Sequence, residues 1–170
     1  MTFIVTHKYH SPCGILTIGD YNGKLCLCDW TEIPQRYIIQ RISNSLSCKY
    51  TMGITPLISS VISQLDEYFE GKRISFNLPL LLIGTNFQHK VWNELMNIPY
   101  GTTTSYSQLA HKIDNPNASR AVANACHANA MSIIIPCHRV IGTNGELCGY
   151  AGGVSSKKHL LSLETIRPNF

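Results

Sequence analysis

The sequence predicts an α+β protein in two parts: a small N-terminal α/β domain over residues 1–84 and a mostly helical C-terminal domain over residues 85–170. Strand-like runs on both sides of Asn22-Gly23 indicate a sheet in the first part, because Asn-Gly is the strongest short signal for a β-hairpin. From Thr85 onward the pattern changes to short amphipathic segments that begin with capping residues, which is typical of helices.

The composition is that of a globular chain with modest charge. Of the 170 residues, 44% are hydrophobic and 14% are charged, which excludes intrinsic disorder. A formal net charge of +4 is compatible with nucleic-acid binding without establishing it. The seven cysteines have no recurring spacing, so we expect free thiols, no disulfide framework and no zinc site. With no leader segment and no apolar run of the ~20 residues that span a bilayer, we expect a soluble cytoplasmic protein.

Local signals predict the remaining N-terminal elements in order. Residues 31–53 have no clean period and are predicted to form a loop or an irregular edge. A helix is predicted from the Thr55 cap onward, because proline follows the cap and apolar residues then recur at helical spacing. Residues 74–83 contain Pro79 and are predicted to be a strand or an extended connector.

Three short helices are predicted in the C-terminal domain. Thr85 and Ser105 each precede a glutamine by three residues, which is the spacing of a capping box, and each opens a helix. Asn117 is predicted to cap a third helix from Ala118 to about Ala128. The second and third helices form a helix-turn-helix candidate, whose small side chains and free N-terminal amides suit a phosphate backbone. An alanine-rich helix packed inside the domain explains the same residues equally well.

The most informative stretch runs from Ile133 to Gly142. Its β-branched residues Ile133–Ile135 predict a buried strand, which would end at Cys137, His138 and Arg139. A thiolate is the reactive form of cysteine, and neighbouring cations lower the pKa of the thiol from about 8.5. Cys137 is therefore a candidate nucleophile, and the alternative is one more buried structural cysteine.

Two segments complete the chain. Gly149–Gly153 is a glycine-rich loop that allows a ligand to approach the backbone closely, but it lacks the lysine of a phosphate-binding loop. Ser155 is predicted to cap the last helix. Glu164 lies near the end of that helix, and by position alone it would be a solvated surface residue.

Motifs throughout residues 85–164 fit one family pattern, in which the segment Pro136–Val140 is highly specific. The others are Phe87-Gln88, Val91-Trp92, Ile98-Pro99-Tyr100-Gly101, Ser105-Tyr106, Ala118–Val122, Asn129, Gly149–Gly153, Lys157 and Leu160-Leu161 through Glu164. Together they resemble the O6-alkylguanine-DNA alkyltransferase family, the methylated-DNA–protein-cysteine methyltransferases, in its stand-alone form.

The resemblance implies an RNase H-like N-terminal domain with a structural role and a winged-helix or helix-turn-helix C-terminal domain. It implies direct reversal of DNA damage, in which an alkyl group on guanine O6, and on thymine O4, moves irreversibly to Cys137. One molecule would repair one lesion. The implied partner is double-stranded DNA bearing O6-alkylguanine, bound through the minor groove by a monomer without sequence preference, with the damaged base flipped out. No cofactor and no metal are implied.

The resemblance also implies roles for single residues. His138 would activate Cys137 through a bridging water, and Glu164 would hold the other ring nitrogen. Asn129 would tie the third helix to the active-site strand, and Tyr106 would contact a phosphate and protonate the departing guanine. Three residues of the third helix would contact DNA, and Arg120 would fill the space left by the flipped base: Ser119, Arg120 and Ala121.

The implied pocket for the alkylated base carries this chain's departures from the family pattern. Cys148 stands where a small residue is usual and is expected to narrow the pocket, while Cys126 stands where a larger apolar residue can wall the base. Ala130 replaces the usual proline after Asn129, and Arg139 is expected to pin loops by hydrogen bonds. The expected pocket residues are Cys126, Val140, Cys148, Tyr150, Ala151, Gly152 and Lys157.

Two other classes of function remain as alternatives. A non-catalytic sensor of alkyl lesions would have the same DNA-binding domain, but such relatives replace the acceptor cysteine, and Cys137 is present. A cysteine hydrolase would use Cys137 with His138 as its base. Adjacent side chains of an extended segment point apart, which is poor geometry for that pair.

Overall fold

The computed structural model describes residues 2–33 and 37–165, which form two compact units. The first unit ends at Ile83 and the second begins at Gly84. The first contains a mixed sheet and the second is mostly helical, which confirms the predicted α+β class. Within the described ranges, every helix is too short or too polar to cross a membrane.

A four-stranded sheet is the framework of the first unit. Its strands are β1 (Phe3–Ser11), β2 (Gly14–Tyr21), β3 (Lys24–Trp30) and β4 (Lys49–Met52), in the spatial order β3-β2-β1-β4. Neighbouring strands are antiparallel except β4, which runs parallel to β1. The predicted hairpin is confirmed, because Asn22 and Gly23 have φ values of 52° and 78° between the paired residues Tyr21 and Lys24.

The loop predicted over residues 31–53 is wrong where the structure describes regular elements. This segment contains α1 (Ile38–Leu46) and β4, while residues 34–36 lie outside the described residues. α1 buries Ile38 and Ile42, which are one turn apart. β4 has no alternating apolar pattern and forms through its pairing with β1. Both elements are therefore stabilised by tertiary contacts that local periodicity does not reveal.

The predicted helix after Thr55 is confirmed as α2 (Pro56–Phe69), whose buried face packs on the sheet. The extended conformation expected for residues 74–83 is confirmed at residues 79–81, which pair with Leu25, while residues 74–75 form a bend. The amide of Leu25 donates to the Pro79 carbonyl and the amide of Leu81 donates to the Leu25 carbonyl, both at 2.8 Å. Pro79 is tolerated there because this pairing uses its carbonyl and needs no N–H.

The second unit is built from four helices around a short two-stranded parallel sheet. Its elements are α3 (Asn86–Met96), β5 (Thr104–Ser105), α4 (Tyr106–Lys112), α5 (Ser119–His127), a 3₁₀ turn (Cys137–Arg139), β6 (Val140–Ile141) and α6 (Gly153–Thr165). Both predicted capping boxes are present, at Thr85 with Gln88 and at Ser105 with Gln108. α3, α4 and α5 pack on one another, and α4 followed by α5 forms the helix-turn-helix.

Two predicted caps are wrong. The N-cap of α5 is Ala118, which makes no side-chain capping bond, so Asn117 is not the cap. α6 begins at Gly153, so Ser155 lies inside the helix rather than before it. Gly153 has a φ of 85°, and the preceding turn ends in a bond from its amide to the Tyr150 carbonyl. The backbone turn therefore sets the start of this helix, which the Ser155 side chain alone does not predict.

We expect Thr55→Ala to lower the free energy of unfolding by about 2 kcal/mol. Thr55 Oγ1 accepts from the Ile58 amide at 3.1 Å and donates to Asp20 Oδ2 at 2.6 Å, and alanine removes both bonds. Urea denaturation measures the change. Thr55→Ser keeps the oxygen and should retain most of the stability; equal losses in the two variants would contradict this role of the hydroxyl.

Candidate active site

The segment before Cys137 is a buried series of turns, so the strand predicted over Ile133–Ile135 is wrong. Its three isoleucines are 1%, 8% and 0% exposed, and Ile133 has a φ of 73°. The Ile135 amide donates to the Met131 carbonyl at 2.8 Å, which closes a turn. An apolar run predicts burial, but it does not distinguish a strand from a buried turn. Here the chain turns over residues 131–135 and arrives at Cys137 two residues later.

Asn129 stabilises this turn with both ends of its amide. Its Oδ1 accepts from the Met131 amide at 2.9 Å, and its Nδ2 donates to the Ile135 carbonyl at 2.9 Å. The same Nδ2 lies 3.3 Å from Cys137 Sγ, to which it donates. Asn129 is 1% exposed and follows α5 directly, so it connects this helix to the sulfur of Cys137.

Cys137 begins a 3₁₀ turn that also contains His138 and Arg139, so the extended geometry expected for this pair is wrong. Cys137 is 6% exposed, and His138 is completely buried. His138 Nε2 lies 2.7 Å from Glu164 Oε1. Glu164 is 4% exposed near the end of α6, so the solvated position expected from its sequence context is wrong.

Glu164 binds Arg139 as well as His138. Arg139 Nε donates to Glu164 Oε2 at 2.8 Å, and Nη2 donates to Oε1 at 3.0 Å. Arg139 Nη1 donates to the Ile98 carbonyl at 2.7 Å, which confirms that Arg139 pins a loop. Sequence reasoning did not predict its pairing with the carboxylate, because the two residues are 25 positions apart and neither pattern points to the other.

Gly101 is a second residue of the site that sequence reasoning missed. Its amide donates to Glu164 Oε2 at 3.3 Å, its φ is 74°, and a Cβ there would lie 2.8 Å from the Glu164 carbonyl oxygen. Only glycine meets both requirements without strain. The motif that ends in Gly101 was visible in the sequence, but its proximity to α6 was not.

The charges of the site follow from these contacts. Burial would raise the pKa of Glu164, but hydrogen bonds from His138 and Arg139 lower it to about 2, so the carboxylate is ionised. Burial lowers the pKa of His138, and the bond to Glu164 opposes this only in part, so the imidazole is neutral at neutral pH. Since a carboxylate only accepts, Nε2 holds the ring proton and Nδ1 carries a lone pair. Nδ1 is buried and has no hydrogen-bond partner among residues 2–33 and 37–165.

Tyr106 and Cys126 are two further ionisable groups whose pKa values are raised first by burial and also by a negative charge on Cys137. Tyr106 is the first residue of α4, and Cys126 is buried on α5. Burial raises the pKa of the Tyr106 hydroxyl and of the Cys126 thiol. Both groups are therefore protonated at neutral pH and are available as donors.

Lys157 joins the segments that follow Cys137. It is 0% exposed on α6, and its Nζ donates to the Val140 carbonyl at 2.6 Å and to the Cys148 carbonyl at 3.2 Å. Burial lowers the pKa of Lys157. The ring of Tyr150, a buried residue, meets the His138 ring edge-on at 6.4 Å. Of the other expected pocket residues, Val140 and Cys126 are buried, Cys148 is exposed, and Ala151 and Gly152 are half-buried.

The three residues of α5 that are expected to contact DNA are consecutive and lie in its first turn. Arg120 and Ala121 are exposed and Ser119 is half-buried, while Val122, Ala125 and Cys126 are buried. α5 therefore packs inside the unit by one face and leaves Arg120 and Ala121 exposed to solvent. Within the described ranges, no group of three or more His, Cys, Asp or Glu side chains could hold a metal ion.

The fold and the site define a two-unit protein whose helix-turn-helix unit contains a buried thiol that accepts from an asparagine amide, and comparison with known proteins identifies the family. Residues 86–166 match the 6-O-methylguanine DNA methyltransferase DNA-binding domain, and residues 4–82 match the ribonuclease-like domain of the same family. The chain belongs to the 6-O-methylguanine DNA methyltransferase family.

Individual relatives agree with this assignment. The methylated-DNA–protein-cysteine methyltransferase of Mycolicibacterium paratuberculosis is 46% identical over 91% of this chain and 88% of that protein. The protein of the same name from Mycobacterium bovis is 49% identical over 64% of this chain, and the match spans only 66% of that relative's length. The crystal structure of Mycobacterium tuberculosis OGT in complex with DNA superposes with a TM-score of 0.82, at 37% identity, over 97% of this chain and 96% of that chain.

We expect the stability of the protein to fall as the pH drops below 6.5, the ordinary pKa of histidine, because an unfolded His138 takes up a proton that the folded one resists. Glu164 acts in a separate window: its stabilisation is present above 4.5 and is lost as the pH falls towards about 2. Urea denaturation between about pH 5 and pH 8 measures the first effect.

His138→Gln should flatten this pH dependence. His10→Gln is the matched control, because His10 is exposed on β1 and its removal should leave the slope unchanged. A slope in His138→Gln as steep as in the original protein would contradict the buried neutral imidazole.

Proposed function

We propose that this protein reverses DNA alkylation by transferring an alkyl group from guanine O6, and from thymine O4, to its own Cys137. The observation that carries the proposal is the surroundings of that sulfur, with the Asn129 amide at 3.3 Å and a neutral His138 held by Glu164 at 2.7 Å. Family membership and the names of the relatives support it. The product thioether has no ready leaving route, so each molecule acts once.

The proposed chemistry is a single displacement at carbon. His138 Nδ1 accepts the Cys137 thiol proton through a water, and the thiolate attacks the alkyl carbon, so that an S–C bond forms as the C–O6 bond breaks. The electron pair of the broken C–O6 bond stays with guanine, which takes a proton from the Tyr106 hydroxyl. Tyr106 regains a proton from water as His138 releases the thiol proton to water, so both side chains end neutral. Asn129 stabilises the thiolate, because a hydrogen bond to an ionised acceptor is stronger than one to a neutral group.

The proposed DNA contacts come from α4 and α5. Base flipping is required because the lesion lies inside the duplex, and Arg120 is exposed at the first turn of α5, where it can fill the vacated stack. Ser119, Ala121 and Tyr106 contact the backbone in the minor groove, where small residues allow close approach without reading sequence. A related protein crystallised in complex with DNA supports this partner.

The proposed pocket for the flipped base surrounds Cys137. It is lined by Cys126, Val140, Cys148, Tyr150, Ala151, Gly152 and Lys157. In this scheme residues 85–170 bind DNA and accept the alkyl group, residues 1–84 have a structural role, and the protein acts as a cytoplasmic monomer. Cys137 distinguishes this function from that of a lesion sensor, which needs no acceptor.

We expect incubation with a duplex that contains O6-methylguanine to add one methylene group to the peptide that contains Cys137, as measured by mass spectrometry after digestion. Cys137→Ala should bind the duplex and gain nothing. Cys13→Ser is the matched control, because Cys13 is a free thiol of the first unit and its loss should leave the modification in place. An unmodified Cys137 peptide after incubation with excess lesion would refute the proposal.

We expect Arg120→Ala to slow transfer from duplex DNA by about a hundredfold, since an unfilled stack leaves an unstacking cost of a few kcal/mol uncompensated. Transfer from O6-alkylguanine supplied as the free base should be unchanged, because no flipping is needed. Single-turnover rates with the two substrates measure the difference. Lys158→Ala, which removes an exposed positive charge from α6, is the control for net charge. Equal losses with both substrates would contradict the role of Arg120.

A further inference from the structure

Three ionisable groups share one buried cluster around Glu164. His138 Nε2 and Arg139 Nη2 both point at Oε1, at 2.7 and 3.0 Å, and Arg139 Nε binds Oε2 at 2.8 Å. All three residues are buried: His138 is 0% exposed, Arg139 6% and Glu164 4%. A buried carboxylate requires one positive counter-charge, and two side chains here are able to supply it.

Arg139 is held in place independently of the carboxylate. Its Nη1 donates to the Ile98 carbonyl at 2.7 Å, and its Cζ lies 5.7 Å from the centre of the Tyr100 ring. The guanidinium is always charged and its planar fork matches the two carboxylate oxygens. The cluster is therefore neutral overall when the imidazole carries no charge.

We propose that Arg139 is a positioning residue for alkyl transfer: its guanidinium, in place of a protonated His138, is the counter-ion of Glu164, which keeps Nδ1 of His138 able to accept the Cys137 proton. The role of Nδ1 rests on the proposed function. The identity of the counter-ion does not, because it concerns only the protonation state of the cluster.

The reason lies in what Glu164 would do without Arg139. Removal of the cation from a buried carboxylate costs several kcal/mol, so the cluster would take up a proton on the imidazole to restore an ion pair. An imidazolium has a proton on each ring nitrogen and accepts nothing. The expected loss of activity is therefore greatest at low pH, where the imidazolium is the dominant form.

The other groups that face His138 do not replace Arg139. Lys157 on α6 is a cation that disfavours an imidazolium, but its ammonium binds the carbonyls of Val140 and Cys148 and no carboxylate. Tyr150 presents a ring edge at 6.4 Å, and Cys137 precedes His138 on the same turn. Arg139, in contrast, is bonded directly to the carboxylate that His138 binds.

The test is the titration of His138 itself, followed by its ring NMR signals and assigned by comparison with His138→Gln. Arg139→Gln should raise the titration midpoint by about one pH unit or more. Arg139→Lys keeps the positive charge, so its His138 titration midpoint should lie closer to that of the original protein. Arg73→Gln is the matched control, because Arg73 in the first unit binds Glu67 through Nε at 2.9 Å and the Ser75 carbonyl at 3.0 Å. It should leave the His138 titration unchanged.

Single-turnover rates against pH give the functional readout. The rate falls on the acidic side of its pH profile. In Arg139→Gln this fall should move to higher pH, together with the titration midpoint of His138. A folded Arg139→Gln with an unchanged midpoint overturns the proposal, and so does an equal shift in Arg139→Lys. If Arg139→Gln does not fold, ring nitrogen-15 shifts of the original protein decide: a neutral ring protonated at Nε2 at pH 7 supports the proposal, and an imidazolium overturns it. The His138 titration can be measured even if the protein transfers no alkyl group. Failure of the proposed alkyl transfer therefore does not imply failure of the counter-ion role of Arg139, and the reverse also holds.

Discussion

The buried carboxylate of Glu164 is the constraint on which the rest of the site depends. It receives hydrogen bonds from His138, Arg139 and the Gly101 amide, and so connects α6 to two turns that are distant in sequence. Because a buried charge is tolerated only when it is paired and hydrogen-bonded, these segments must all be in place together. The same bonds influence the protonation state of the His138 imidazole, which is neutral and has its proton on Nε2.

Asn129 has a similar role on the other side of the sulfur. Its amide bonds hold the turns before Cys137, and its Nδ2 also reaches Sγ. The Cys137 thiol therefore has an amide donor from the segment after α5, and the next residue, His138, is anchored to α6. The first turn of the same α5 exposes Arg120, so one helix carries an exposed arginine at its start and leads to the amide donor of Cys137 at its end.

Local chemistry accounts for what could be predicted. The Asn22-Gly23 hairpin, the Thr55 cap and the two capping boxes depend on side chains within a few residues of one another, and the structure has all of them. α1 and β4 were missed because their burial and pairing depend on the sheet. The run Ile133–Ile135 predicted burial correctly and conformation wrongly, since Asn129 and a turn override the strand preference of isoleucine.

The sequence by itself determined the kind of chemistry, because a thiol, an imidazole and a guanidinium in succession are apparent without any fold. Tertiary structure decided which partners these side chains bind and whether they carry a charge. Glu164 lies 26 residues from His138, and the Ile98 carbonyl lies 41 residues from Arg139, so neither contact is implied by local spacing. Whether the imidazole is neutral depends on burial and on the charge that Glu164 meets, and both exist only after these distant segments have packed together.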